Sequence, residues 1–453
     1  MRNILLIGAG KSSSYLVKYL SDHSKAEKWE LIIADANGKH AEAMAAKLPN
    51  CKPVTLNITD EAERELYIKA ADIVISMLPS SLHIIVAQDC IKFKKHLLTA
   101  SYISPEIKGL NDAAKDAGVL LLNEMGLDPG IDHMSAKAII DKVADDGGNI
   151  SAFKSYCGGL IAPESDDNPW NYKVTWNPRN IILAGQSTAR YLEDEKIRYI
   201  PANRVFAQVE KIKVPGEGMY DAYINRDSLK YIGPYGIADA KTVIRGTLRH
   251  KGFCKKWNCL VSLGLTDDTV LIEDAMQLTY KEFADSFLPN KMELTEFLWK
   301  NFEIEKGDKE FKAIEWLGLT SNEKIGLQYV TPAQVLQKLI EKKLKLKSKD
   351  KDMIVMYHEV HCSKGKKDFI IQSSLNVVGE DQHYTAMAKT VGLPLAIATR
   401  LILKGEINLT GVHLPTLKEI YKPVLAELVE YGIVFKEKTS TKKKGFAANF
   451  KLF

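Results

Sequence analysis

Residues 1–20 read MRNILLIGAGKSSSYLVKYL, an apolar run at 3–7 that enters Gly8-Ala9-Gly10 and continues into an amphipathic stretch. A first glycine permits the tight turn after a strand, and a second lets a pyrophosphate approach the backbone. The helix behind them offers free N–H groups and the positive end of its dipole. Ser13 stands where the third glycine of this fingerprint falls, which predicts that helix and strand sit slightly further apart. Working outward, further apolar runs occur at 30–34, 53–56, 73–77, 96–99 and 119–123, and helical stretches at 12–21, 40–48, 61–70, 82–93 and 106–117. Short strands buried on both faces and separated by helices specify an α/β fold, a doubly wound parallel sheet of the Rossmann type.

The second strand ends at Asp35, 22 residues beyond Ser13, where a carboxylate bonds the adenosine ribose hydroxyls of a dinucleotide. A carboxylate there repels a 2′-phosphate, so NAD is expected in preference to NADP, with Lys39 close enough to keep NADP possible. Two more loops follow strands of this sheet, Met77-Leu78-Pro79-Ser80 and Thr99-Ala100-Ser101-Tyr102. Ligands of open parallel sheets gather outside the carboxyl ends of the strands, so these loops are expected to line the nicotinamide half of the cleft.

After about residue 130 the rhythm changes. Strand-like runs at 150–157, 204–214 and 352–362 are longer and partly alternating, 162–179 is loop-like, and helical periodicity dominates 268–349. The expected domains are therefore a dinucleotide-binding domain at 1–130 with a C-terminal return at about 381–453. A mixed-sheet α+β domain for substrate and dimerisation follows at 131–267 and 350–380, with a small helical domain at 268–349. The apolar stretch at 381–403 reads as a buried core helix broken by Gly392 and Pro394, not a membrane span.

The 453 residues carry 62 basic and 57 acidic side chains, a net charge of +5 that implies no nucleic-acid partner. The lysine-rich pieces at 342–351 and 436–444 read as solvated surface. Cys51, Cys90, Cys157, Cys254, Cys259 and Cys362 are scattered without a CxxC pair, the pattern of reduced thiols rather than of disulfides or a metal site. The opening strand leaves no room for a signal peptide, so a cytoplasmic protein without a membrane partner is expected.

The string GLDPGIDH at 126–133 resembles a segment of saccharopine dehydrogenases. TASYISP (99–105), YCGGL (156–160), APE (162–164), NRDS (225–228), RGTLR (245–249), WLGL (316–319) and VGLPLAIAT (391–399) agree in the same order. The resemblance spans essentially the whole chain and is similar to the glutamate-forming branch. It implies cofactor contacts at Gly10, Lys11, Ser12 and Ser13 beyond Gly8, at Asp35 and Ala36, and at Asn57 and Ile58. Leu78, Thr99, Ala100, Leu127, Asp128 and Pro129 complete them. Substrate contacts are implied at Ser101, Tyr102, Asp128, Arg226, Thr247, Leu248 and Arg249. The chain departs from relatives at Asn57, often Asp, and at Asn177, a Ser in fungal relatives. Where NADP-using relatives place an Arg after the second strand, Asp35 and Ala36 stand here.

Saccharopine, the substrate so implied, carries three carboxylates and a secondary amine. Fixed arginines suit such a molecule, and Arg226 and Arg249 each lie in a matched string. Oxidation of the amine also needs a proton acceptor. Asp128, Glu124 and His133 are candidates among which the residues alone do not choose; Asp132 and His133 are expected to open the next helix. Asp128 is the named catalytic expectation. A carboxynorspermidine-type dehydrogenase and a non-catalytic nucleotide sensor are the alternatives, the first disfavoured by two anion-binding arginines. A homodimer is expected.

Overall fold

The protein is described by a computed structural model covering residues 1–441 except 225 and 291. Its first sheet is parallel throughout. It contains β1 (Arg2–Ile7), β2 (Trp29–Asp35), β3 (Cys51–Thr55), β4 (Ile73–Ser76), β5 (His96–Thr99) and β6 (Leu120–Leu122). Ile4 to Ile7 and Ile73 to Ile75 are essentially without solvent exposure, as strands covered by helices on both faces must be. The helix Ser14–Glu27 buries Leu16, Val17, Tyr19 and Leu20 and stops where Lys28 turns left-handed. Beyond it Trp29 donates its indole N–H to the Leu20 carbonyl at 2.8 Å. Chain order runs outward from β1 to β3 and then returns to β4 on the other side of β1. That reversal opens the crevice in which doubly wound sheets bind ligands.

The second sheet is mixed. Its strands are β7 (Asn149–Ile161), β8 (Ala189–Glu193), β9 (Lys196–Ile200), β10 (Val209–Val214), β11 (Gly218–Ile224), β12 (Thr242–Arg249), β13 (Asp352–Lys364) and β14 (Lys367–Val378). Strand β12 pairs parallel with β7, while β7 pairs antiparallel with β13 and β13 with β14. Helices between 268 and 343, among them Leu294–Phe302, Lys309–Leu317 and Pro332–Lys343, share one apolar core with this sheet: Tyr156 and Leu248 lie in it with Ile314 and Leu336. The helical segment is thus a layer on the sheet.

Late in the chain, β15 (Gly411–His413) adds to β6 in the first sheet, whereas β16 (Lys436–Thr441) adds to β14 in the second. The expected return of 381–453 is therefore divided between the two sheets. The lysine-rich strip at 436–444 supplies β16 with its exposed residues, and 442–444 lie outside the described residues.

One expectation is corrected here. Gly392 and Pro394 do not break their helix, which runs unbroken over Ala386–Leu403. It is the one helix among the described residues long and apolar enough for a membrane, and 78% of it is buried within the protein. Gly392 permits close packing, since a Cβ there would lie 2.8 Å from the backbone nitrogen of Leu16. At the helix start Ala386 and Met387 donate N–H bonds to Asp352 at 2.6 and 2.9 Å, and Ala388 donates to Thr385 Oγ1. Dense packing and a saturated N-terminus outweigh the donor that Pro394 lacks.

Candidate active site

The turn after β1 is braced from three sides. Gly8 has φ +105°, and a Cβ on it would stand 2.9 Å from the Met77 carbonyl oxygen, so this position admits only glycine without strain. Its N–H donates to the Ala34 carbonyl at 2.7 Å, and the Ser13 hydroxyl donates to the Gly8 carbonyl at 3.1 Å. Asp35 receives the N–H of Ala9 on Oδ2 and that of Asn37 on Oδ1, both at 2.8 Å. A Cβ on exposed Gly10 would meet nothing within 4 Å, the open approach that a pyrophosphate needs.

Lys11 and Ala36 are exposed and Ser12 half-buried around that opening, whereas the Ser13 side chain is buried and turned into the loop. Asn57 is exposed and holds the Thr59 N–H and hydroxyl with its own Oδ1. Ile58 packs into the core below, its carbonyl accepting from Arg64 Nη1 at 3.0 Å. Of the expected nucleotide contacts, Ser13 and Ile58 thus point their side chains away from the opening.

At the ends of β4 and β5 lies a histidine the sequence reading passed over. His83 begins the helix His83–Lys92 and is 1% exposed. Its Nδ1 is 2.8 Å from Ser76 Oγ, and its Nε2 is 2.7 Å from Ser101 Oγ and 3.2 Å from Thr99 Oγ1. Burial lowers its pKa to about 4, so the ring is neutral and fixes Ser101 by hydrogen bonding alone. Its signal was hidden because a histidine inside an apolar helical run looks like an interior residue. Leu78 and Ala100 are half-buried beside these loops.

The GLDPGIDH segment forms the turn from β6 into the helix Ile131–Asp145, with Leu127 and Pro129 buried and the Asp128–Pro129 peptide cis. Three carboxylates converge there. Glu124 accepts the Ile103 N–H on Oε1 at 3.0 Å, while its Oε2 lies 2.7 Å from His133 Nε2 and accepts from the Tyr231 hydroxyl at 3.1 Å. The other ring nitrogen of His133 is 2.6 Å from the Tyr235 hydroxyl. Glu124 and His133 are therefore closed on each other and on tyrosines. Asp128 differs: the Tyr102 hydroxyl at 2.9 Å and Arg245 Nη2 at 2.7 Å both donate to its Oδ1, leaving Oδ2 clear of them. Burial and the neighbouring Asp132 raise its pKa, against the pull of Arg245 and Tyr102. A carboxylate with a raised pKa and a clear oxygen is suited to accept a proton.

From Asp128 the site continues along β12. Side chains alternate across a strand, so Arg245, Thr247 and Arg249 share one face. The Leu248 side chain takes the other face and is wholly buried in the core shared with the helical layer. Thr247 sits opposite Cys157 of β7. Burial, with Asp128 and Asp132 nearby, pushes that thiol far above its ordinary pKa, so it is a neutral small group.

Arg249 is 5% exposed and lies 5.3 Å from the Tyr172 ring centroid and 5.2 Å from that of Phe253. Its Nη1 reaches the Gly159 carbonyl at 3.3 Å and its Nη2 the Tyr223 hydroxyl at 3.4 Å, while its Nε has no partner. It forms no ion pair among the described residues. Arg226 is exposed, has φ +59° and places its guanidinium 4.3 Å from the Tyr102 ring centroid. Asn225, first residue of the NRDS string, lies outside the described residues.

A parallel sheet with an open glycine turn, joined through a carboxylate to a cationic face on a second sheet, defines a dinucleotide-binding protein with a second, mixed-sheet unit. Residues 4–122 match the saccharopine dehydrogenase NADP binding domain and residues 126–433 the saccharopine dehydrogenase C-terminal domain. The chain belongs to the saccharopine dehydrogenase family.

It is 35% identical to the mouse mitochondrial alpha-aminoadipic semialdehyde synthase, matching over 97% of its own length and 48% of that protein. The chain thus spans about half the length of the mammalian relatives it matches. The L-glutamate-forming, NADP(+) saccharopine dehydrogenase of Schizosaccharomyces pombe is 33% identical, with 96% of this chain and 99% of that one covered. The apo saccharopine dehydrogenase (L-Glu forming) of Saccharomyces cerevisiae superposes with a TM-score of 0.86 at 32% identity, covering 97% of this chain and 100% of that one. A homospermidine synthase of Legionella pneumophila solved with NAD shares the fold at a TM-score of 0.57 and 10% identity, covering 99% and 94%.

Proposed function

We propose that this protein is a nicotinamide-dependent oxidoreductase that oxidises the secondary amine of saccharopine, yielding L-glutamate and 2-aminoadipate 6-semialdehyde. The observation that carries the reading is Arg249, a buried cation with no carboxylate partner among the described residues, on the β12 face it shares with Arg245, which holds Asp128. An unpaired buried charge is costly, and a carboxylated ligand relieves that cost on binding. Arg226, stacked near Tyr102, offers a second anchor at the exposed rim. These two cations favour a multi-carboxylate substrate over a polyamine.

The open approach at Gly10, the turn held by Gly8 and Ser13, and Asp35 fit a dinucleotide. Bound there, the nicotinamide supplies the hydride acceptor. The chain's own part is to hold the carboxylates with Arg249 and Arg226 and to orient the amine. Asp128 takes the amine proton on Oδ2, passes it to solvent once the hydride has left, and the carboxylate so restored deprotonates the water that adds to the imine. Ser101, held by His83, and Tyr102, held by Asp128, line the approach.

The finer choice of nucleotide rests on Asp35. Fungal relatives carry NADP(+) in their names, but the arginine that the resemblance puts after the second strand of NADP-using relatives is replaced here by Asp35 and Ala36. We propose NAD as the preferred cofactor with NADP also accepted. Ala36→Arg should then raise kcat/KM for NADP relative to NAD; an unchanged ratio counts against the argument.

The assembly proposed is a homodimer through the second sheet. A mixed sheet of this kind offers edges and a face for pairing across a two-fold axis, and light scattering of the purified chain tests it. A cytoplasmic location is proposed from the six free thiols.

The deciding assay follows reduced nicotinamide with saccharopine, with carboxynorspermidine, and with neither. Turnover with saccharopine is expected. Turnover only with carboxynorspermidine selects the related imine-forming dehydrogenase, and nucleotide binding without turnover on either selects a sensor.

A further inference from the structure

We propose that Arg245 is a positioning residue of this reaction: it holds the Asp128 carboxylate in one orientation and is the one guanidinium shared by the buried pair Asp128 and Asp132. The inference rests on Asp128 as the proton acceptor and names what makes it one. Arg245 comes from the second sheet, whereas both carboxylates come from the turn and helix that leave the first.

Arg245 is held as firmly as the groups it holds. It is 7% exposed, its backbone N–H donates to the Ser228 hydroxyl at 2.9 Å, and its guanidinium lies 4.3 Å from the centroid of the Tyr231 ring. Its Nη2 donates to Asp128 Oδ1 at 2.7 Å and to Asp132 Oδ2 at 2.5 Å. Asp132 is anchored in turn by the Gly130 N–H, 2.6 Å from its Oδ1. Because Nη2 and the Tyr102 hydroxyl both meet Oδ1, the carboxyl plane is fixed and Oδ2 is the oxygen left to meet the substrate amine. A proton acceptor in a fixed plane avoids the loss in rate that a misdirected lone pair brings.

Charge gives the second half of the argument. Asp128 is faced by Asp132 and His133 from the helix Ile131–Asp145, and by Arg245 from β12. Tyr102 faces it from the loop after β5, Cys157 from β7 and Tyr235 from the short helix Ile232–Tyr235. Arg226 lies beyond Tyr102. His133 lies 2.7 Å from Glu124 and 3.5 Å from Asp132, whereas Arg245 is the cation that hydrogen-bonds both aspartates among the described residues. Two buried carboxylates on one guanidinium lack a positive charge, and the protonated secondary amine of the substrate brings it. Once there, that ammonium has Oδ2 as its acceptor.

Arg245 and Asp132 therefore act on Asp128 with opposite sign, which a purely structural strut does not do. The test is the pH dependence of kcat/KM for saccharopine oxidation, whose acid limb reports the acceptor in the free enzyme. It is run on the full chain for wild type, Arg245→Met, Arg245→Lys, Asp132→Asn and Asp128→Asn.

Arg245→Met is expected to move the acid limb up by about one pH unit or more and Asp132→Asn to move it down. Arg245→Lys keeps the charge but not the fixed fork, so its limb should stay in place while kcat falls about tenfold or more. Nucleotide affinity, read by fluorescence titration, should stay within about twofold in the Arg245 and Asp132 variants, since the fold at the glycine turn is untouched.

A limb unmoved in Arg245→Met, or moved the same way as in Asp132→Asn, overturns the proposal. If Arg245→Met does not fold, Arg245→Lys decides: wild-type kcat in that variant overturns it. Asp128→Asn separates the two layers. Wild-type activity there defeats the reading of Asp128 as acceptor, whereas an inactive Asp128→Asn beside an unmoved Arg245→Met defeats only the role given to Arg245.

Discussion

At the glycine turn the Ala9 and Asn37 N–H groups close on Asp35 and the Ser13 hydroxyl closes on Gly8, all within the first 37 residues. On β12 the balance is the reverse. Arg249 is buried, its Nε has no partner among the described residues, and its hydrogen bonds to a carbonyl and a phenol are long, 3.3 and 3.4 Å. The first region is complete without its ligand, and binding there asks for little more than room. The second is left short of negative charge, which its ligand must bring. Under the proposed function, specificity resides in the second sheet, and the first supplies a general nucleotide seat.

The largest expected effect breaks that comparison or makes it firm. Arg249→Met should cost about 2–5 kcal/mol in kcat/KM for saccharopine, because one side of a desolvated charged contact is lost. Stability, read from the urea midpoint, should hold or rise, since an unpaired buried cation gives way to an apolar chain of similar length. Activity within about twofold of wild type would remove Arg249 from the substrate site. A large fall in stability would make it a strut.

Asp352 is the control, a buried charge of the second sheet that has its partners within the chain. Burial lifts its pKa from 3.8 to about 6 despite the N–H groups of Met387 and Ala386. The unfolded chain releases this proton first, so the folded state binds more protons between about pH 4 and 6. Stability contributed by this group is thus present at low pH and lost as pH rises through that window, by on the order of 3 kcal/mol. Unfolding free energies from urea titrations at pH 4 and pH 7 should shift in favour of Asp352→Asn by about that amount relative to wild type as pH rises. An equal difference at both values would show that the carboxyl does not titrate there. Next in size, Gly8→Ala should destabilise by about 1–3 kcal/mol through its positive φ and the Met77 carbonyl, and weaken nucleotide binding with it.

How legible each region was follows from how each is made. The turn uses residues 8, 10 and 35, close in sequence and set by the period of one βαβ unit, so spacing alone found them. The charged site draws Tyr102, Asp128, Arg226, Arg245 and Arg249 from loops and strands scattered over about 150 residues of chain. No periodicity links them, and only the resemblance in GLDPGIDH and RGTLR pointed there. Arg245 and Arg249 occupy the same string, yet only Arg249 was singled out, because an internal partner such as Asp132 cannot be seen without the fold. Leu248 was implied by the resemblance at 247–249, and strand alternation turns its side chain to the face opposite Arg249. Gly392 and Pro394 misled because local helix propensity was weighed without the interface that needs a small residue at 392. His83 was invisible for the converse reason, a polar group in an apolar helix that serves the loop above it.

The smallest effect sharpens the comparison at the glycine turn. Ser13 occupies the place of a third glycine, and its hydroxyl is spent on the Gly8 carbonyl at 3.1 Å from a position with no solvent exposure. Ser13→Ala should cost about 1 kcal/mol of stability for the lost internal bond. The dissociation constant for the reduced nucleotide should change less than about threefold, an energy under 1 kcal/mol, because the side chain faces inward. Ser13→Gly restores the fingerprint but should bind no better, since the turn is already held in shape. If instead Ser13→Ala weakens nucleotide binding tenfold or more at unchanged stability, the hydroxyl turns outward on binding. The nucleotide edge would then also be a region completed by its ligand, and the contrast with β12 would become one of degree.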